Sequence, residues 1–168
     1  MNLYAYAGNN PISYDDPFGL CPPADPSRTD DCQVILNGAT ISNPELMDKL
    51  HQFATNVVGH NVELNGPCSG DRTPACNKDV NGASNSPHLT REAADIHVNG
   101  MSDLQVAHAA ANSKLFNGVE YAAGSKVTGH GRHTHVDIRK RKRPVTTWTE
   151  RSDGVSVPGL PPLPKTEN

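Results

Sequence analysis

Two short stretches constrain this chain more than any others: residues 86–95, reading SPHLTREAAD, and His133-Thr134-His135. Both carry side chains that bind metal ions or move protons, and ligands sharing one ion must converge on it at ~2 Å each. His88 and Asp95 are seven residues apart. A continuous helix would put them on one face but ~10 Å apart along its axis, too far to share an ion. The chain must therefore fold back between them, with His88 on a loop and Asp95 on the element that begins AADIHV. His133 and His135 are two apart, and such residues in a strand point to the same side. One strand can present both imidazoles to a single site, one as ligand and the other as acid or base.

Composition narrows the setting. The chain has 168 residues, enough for one domain with tails. Only 35% of them are hydrophobic, and 14 glycines and 14 prolines imply that the ordered core occupies part of the chain. A formal charge of −3 argues against a protein built to coat nucleic acid. No apolar run approaches the ~20 residues of a membrane span, and MNLYAYAGNN lacks the charged-then-apolar form of a signal peptide. Cys21, Cys32, Cys68 and Cys76 sit in loop-like sequence with no C-x-x-C pair, which weakens a structural metal reading. Four cysteines allow three connectivities. Short loops favour Cys21–Cys32 with Cys68–Cys76 and an oxidising destination; four reduced thiols in a cytosol are the alternative.

Asn-Pro and Asp-Pro pairs punctuate residues 1–20, and residues 21–42 form a linker or arm ending in an apolar run at Val34-Ile35-Leu36. A helix is expected from Ser42 or Asn43 as cap, Pro44 in the first turn and Glu45 at the positive end. Leu46, Leu50, Phe53 and Val57 give it a buried face, and Gly59 ends it. Val62-Glu63-Leu64 reads as a short strand before a long polar loop, which is unusual in a compact domain unless functional. Residues 93–98 alternate as a strand with Asp95 and His97 on one face. Ser102 and Gln105 form a capping box for a second helix with a stripe of Leu104, His108, Ala111 and Leu115. GVEYAA at 118–123 is a strand. The next strand, 133–139, puts Thr134, Val136 and Ile138 on one face and His133, His135 and Asp137 on the other. RKRKR at 139–143 follows, and the Pro-rich 149–168 reads as a disordered tail.

Two resemblances follow from these motifs. NLYAYAGNNPISYDDPFGL resembles the end of the rearrangement-hotspot (Rhs) repeat core, which precedes a variable C-terminal toxin. The resemblance implies self-cleavage after Leu20, with Asp15 and Asp16 matching the acidic positions. SGDR at 69–72, Ser86-Pro87-His88 through Asp95, and His135 in HTHVDIR together resemble the zinc D-Ala-D-Ala carboxypeptidase family of Hedgehog-type fold, over roughly residues 43–148. That implies an α+β domain with a small antiparallel sheet flanked by helices, and a Zn²⁺ held by His88, Asp95 and His135. It also implies His133 as general base, with Arg72 and Ser86 at the substrate and Arg72 binding a carboxylate or the oxyanion. Two departures stand out: Arg91 replaces the family's usual Gly, altering the turn, and Asp71 replaces an aromatic, changing a subsite or pairing with Arg72.

The chemistry is coherent without the family. Two imidazoles and a carboxylate leave a metal net positive, so that water ionises near pH ~7, and a neighbouring His can carry the proton. Asp137 is placed to orient a histidine or to pair with Arg139. The expectation is therefore a zinc peptidase toxin acting on peptidoglycan in the periplasm of target bacteria. An Rhs shell and a type VI secretion machine would deliver it, a cognate immunity protein would neutralise it, and neither nucleic acid nor membrane insertion is involved. Two rivals remain: a metal-dependent nuclease toxin gripping phosphates with residues 139–143, and a zinc-bearing cell-wall-binding module without turnover.

Overall fold

A computed structural model describes residues 32–126, 129, 131–140 and 145–164. Asp15, Asp16, Leu20 and Cys21 lie outside the described residues, as do Arg141, Lys142 and Arg143 of the basic run. Seven strands form one sheet in the order β1-β2-β3-β5-β4-β6-β7: β1 Val34–Ile35, β2 Val62–Leu64, β3 Ala93–Val98, β4 Gly118–Ala123, β5 Arg132–Asp137, β6 Thr146–Glu150 and β7 Ser156–Pro158. The β1/β2 and β4/β6 pairings are parallel and the others antiparallel. The sheet is thus mixed and larger than the small antiparallel one expected. The Pro-rich stretch read as disordered supplies β7, because Ser156 and Val157 pair with Glu150 and Thr149 while Pro158 sits at the edge, where a missing N–H costs no ladder bond.

Alternation along each strand divides the sheet into two faces. Val62, Leu64, Ala94, Ile96, Val98, Val119 and Val136 belong to the apolar core. That core also takes in α1 Pro44–Gln52 and α3 Asp103–Ser113. Asn43 caps α1 by accepting from the Glu45 and Leu46 amides. Leu46, Leu50 and Phe53 are fully buried, each contributing roughly 1.5–3 kcal/mol. Beyond Gln52 the helix widens into a π-helical segment, Phe53–Val58, closed by Gly59 N–H donating to Ala54 O at 2.9 Å. The widened turn shifts the buried stripe, so Ala54 is buried and Val57 is 39% exposed. Phe53 meets Phe116 edge to face at 5.6 Å, an arrangement worth about 0.5–1.5 kcal/mol beyond burial.

The capping box at Ser102 and Gln105 forms as expected. The buried stripe of α3 is Val106, Ala107 and Ala110 rather than the Leu104 series; small residues allow close approach to the sheet, and His108 Nε2 instead donates to Pro161 O at 2.7 Å. The polar loop contains a short helix, α2 Pro74–Asp79, which begins with Thr73 as cap and Pro74 in its first turn. Cys68 and Cys76 form a disulfide that ties it to the preceding loop. Cys32 is also disulfide-bonded.

Candidate metal centre

The second face of the sheet carries the polar groups. Cross-strand register aligns Asp95 of β3, His135 of β5, Glu120 of β4 and Trp148 of β6 in one row. Neighbouring strands lie ~4.8 Å apart, so the row is a continuous floor. The loop before α2 is sealed onto it: Asp95 N–H donates to Ser69 O at 2.7 Å, and Arg72 N–H to His88 O at 3.1 Å. Gly70 is required here, because a Cβ would collide with the Thr40 carbonyl oxygen.

Between His88 and Asp95 the chain turns, with Arg91 N–H reaching His88 O at 3.3 Å and Glu92 N–H reaching Pro87 O at 2.9 Å. Arg91 has φ 62°, the left-handed conformation that glycine adopts most readily. Arginine therefore holds here a backbone conformation that glycine would adopt without strain. The Asp71 carboxylate accepts from Ser42 N–H at 3.1 Å and Ser42 Oγ at 2.5 Å, fastening the loop to the start of α1.

His88, Asp95 and His135 converge. Asp95 Oδ1 is 3.1 Å from His88 Nε2 and 2.8 Å from His135 Nδ1, and the two ring nitrogens are 3.1 Å apart. All three side chains are buried. His88 Nδ1 lies 2.8 Å from Gly70 O; a carbonyl only accepts, so Nδ1 carries the proton and Nε2 offers its lone pair. Burial pushes His88 down, outweighing the pull of Asp95, and so favours the neutral imidazole a metal needs. Burial alone would raise Asp95, but His88, His135 and His133 hold it well below the ordinary range. Burial alone would lower His135; the carboxylates of Asp137 and Asp95 outweigh it and raise it to about 9. Two ring nitrogens and a carboxylate oxygen packed this closely can share one cation, which would take the place of the His135 proton. They fit a Zn²⁺ ion.

The other expected residues surround this set. His133 shares its face, with Nε2 3.7 Å from Asp95 Oδ1. Its Nδ1 donates to Gly131 O at 2.9 Å, which leaves Nε2 basic and turned toward the centre. Arg72 Nε donates to Cys68 O at 2.5 Å, and its terminal nitrogen pairs with Asp95 Oδ2. Ser86 is buried in the cleft wall. Asp137 serves Arg139 first, through its side chain at 3.2 Å and its amide at 3.1 Å. It stands 3.7 Å from His135 Nε2, so it acts there by charge rather than by a hydrogen bond.

Glu120 escaped the sequence reading. The Trp148 indole donates to Glu120, whose carboxyl is pushed up by burial against the pull of His135 and His133. Trp148 also lies 5.9 Å from the His135 ring. Alternation in GVEYAA sets Glu120 apart from Val119, but its partner becomes visible only with the β4/β5 register. These residues line a cleft of about 1180 Å³.

A family model described as peptidase M15 matches residues 28–137. The zinc D-Ala-D-Ala carboxypeptidase of Streptomyces albus G is 37% identical over 75 residues, which cover 45% of this chain and 27% of that protein.

Proposed function

Because the chain belongs to the peptidase M15 family, we propose that it is a zinc-dependent peptidase that hydrolyses peptidoglycan stem-peptide bonds. The carrying observation is the buried convergence of His88, Asp95 and His135 beside a histidine with a free basic nitrogen. A Zn²⁺ ion held by those three supplies Lewis acidity and makes water nucleophilic at neutral pH. Gly70 O fixes the His88 ring, and Arg72 fixes Asp95. His133 Nε2 takes the proton of the attacking water and returns it to the leaving nitrogen. Arg72 adds a fixed positive charge near the developing oxyanion. Ser86 shapes the adjacent wall.

The same reading places the enzyme in interbacterial competition. Residues 1–20 carry the Rhs-like motif, so the parent protein separates after Leu20 through Asp15 and Asp16, and the toxin domain follows, with the core expected at 43–148 extended by β1 on one side and β7 on the other. An Rhs shell and a type VI machine deliver it to a periplasm, where an immunity protein protects kin. Among the described residues no helix is long and apolar enough to cross a membrane. Arg139 is engaged by Asp137, which favours the peptidase over a phosphate-gripping nuclease.

Digestion of purified peptidoglycan with and without chelator, followed by mass analysis, tests the activity. New stem-peptide termini should form only with zinc; unchanged peptides alongside degraded DNA would replace this reading with the nuclease. Expression with and without a periplasmic signal peptide tests the compartment. Lysis should require the signal and be abolished by His88→Ala.

A further inference from the structure

We propose that the Cys68–Cys76 disulfide is a redox switch on this site: as a dithiol it slackens the loop that carries Arg72, and turnover falls while the fold and the metal set persist. This rests on the peptidase reading above and adds a control to it. The segment that begins at Cys68 holds the site through its backbone. Cys68 O accepts from Arg72 Nε at 2.5 Å, Ser69 O from the Asp95 amide at 2.7 Å, and Gly70 O from His88 Nδ1 at 2.8 Å. Arg72 donates its amide to His88 O at 3.1 Å and pairs its side chain with Asp95. Residues 68–72 thus orient both His88 and Asp95.

Local structure alone holds this segment weakly. α2 has six residues, too few for a helix that is stable in isolation, and Thr73, Pro74 and Ala75 at its start are exposed. The disulfide joins Cys68 to Cys76 within α2, eight residues on. From α2 the tie passes to the cleft wall. Asn77 is buried, and its Nδ2 donates to Gly82 O at 3.1 Å and Ala83 O at 3.0 Å; Gly82 and Ala83 line the cleft. Opening the S–S bond therefore frees the Arg72 loop and the adjoining wall together. β3 and β5, which supply Asp95 and His135, stay paired within the sheet.

The bond lies within reach of a thiol. Cys68 lines the cleft, and both cysteines are half-buried beside exposed Pro67 and Ala75. Closing the bond takes an oxidant of the disulfide class, a protein or small-molecule disulfide. The Cys68 and Cys76 thiols give up two protons and two electrons, their S–S bond forms, and the oxidant's S–S bond breaks to two thiols. A chain made in a reducing cytosol carries the slack loop, and an oxidising compartment completes the site. A cross-link over so short a loop favours the ordered arrangement by roughly 30-fold or more. The bonds to Ser69 O and Gly70 O retain part of that order, so a turnover loss of about tenfold is expected.

The test compares the zinc-loaded full chain on purified peptidoglycan, oxidised and after treatment with a phosphine reductant, with thiols counted by mass. Reduction should lower kcat/KM about tenfold at unchanged zinc content and circular dichroism, and reoxidation by a disulfide should restore it. The Cys68→Ser/Cys76→Ser double variant, which leaves the Cys32 disulfide in place, should match the reduced chain and lose nothing more on reduction. Amide exchange should quicken in residues 68–83 and not in β3 or β5. In Arg72→Met the same reduction should cost less than about twofold, because the group it mispositions is gone. Equal activity with Cys68 and Cys76 shown as thiols would overturn the switch. So would a loss shared with zinc and sheet, which marks a plain structural staple. If neither form cuts peptidoglycan, the peptidase reading falls, and exchange still decides the switch: quickening confined to 68–83 upholds it, and unchanged exchange there overturns it.

Discussion

Replacing Arg72 with Met separates its structural service to Asp95 from the metal's. The Arg72 and Asp95 side chains are 11% and 7% exposed, and removing one partner of a buried pair costs about 3–5 kcal/mol because the other charge stays buried. Asp95 keeps His135 Nδ1 at 2.8 Å and His88 Nε2 at 3.1 Å, so the loss in chelator should fall near the lower end, about 3 kcal/mol. Saturating zinc places a positive ion against Asp95 in Arg72's stead. The loss should then shrink to about 1 kcal/mol, close to the worth of the remaining hydrogen bond to Cys68 O. Urea unfolding in EDTA and in excess zinc reads both values. With a slope of about 2 kcal/mol per molar urea, the midpoint should drop by about 1.5 M in EDTA and about 0.5 M in zinc. A loss below about 1 kcal/mol in EDTA, or equal losses under both conditions, would refute the idea that Arg72 and the metal share the charge of Asp95.

Further outcomes follow from the same structure. His133→Ala should keep one zinc and lose about 10²–10⁴-fold in turnover; loss of zinc instead would make His133 a ligand. Arg91→Gly relieves a left-handed φ of 62° worth about 1–2 kcal/mol but loosens the unfolded chain by about 0.4–1 kcal/mol. Thermal melts should thus show a net gain of about 0.5 kcal/mol, and a net loss would contradict the turn geometry. Asp103, 2.5 Å from His97 Nδ1, raises the His97 pKa despite partial burial. That pair's stabilisation is fully present below the unfolded pKa of ~6.5 and fades as pH rises through the higher folded value. The penalty of His97→Gln in chelator should therefore be larger at pH 6 than at pH 9, and below about 1 kcal/mol since His97 is 43% exposed; a penalty that grows with pH would refute it.

Local chemistry made much of this molecule legible. Asn43, Pro44 and the Ser102–Gln105 box announced both long helices because caps act within one turn. Strands β2, β3 and β4 were readable because each alternates or carries a compact apolar run. The three converging side chains could be picked out because their motifs resemble those of a zinc peptidase family, while their spacings alone permit a turn and a strand but leave His133 and His135 interchangeable. What stayed hidden depends on distant partners. The π-helical widening at Phe53 changes hydrogen bonding without altering composition. β6 and β7 gain strand character only by joining β4, and Glu120 becomes a cleft residue only through its register with His135. Asp71 could not be assigned from its neighbours, since its partner Ser42 is 29 residues away.

Zinc stoichiometry and ligation test the central claim most directly. After dialysis against metal-free buffer the chain should retain one zinc, with X-ray absorption showing nitrogen and oxygen ligands at ~2.0–2.2 Å and no sulfur at ~2.3 Å. His88→Ala, Asp95→Ala and His135→Ala should each lose that zinc while circular dichroism shows the sheet intact. Full zinc occupancy in folded His88→Ala and Asp95→Ala variants, or a sulfur shell around the metal, would contradict the account.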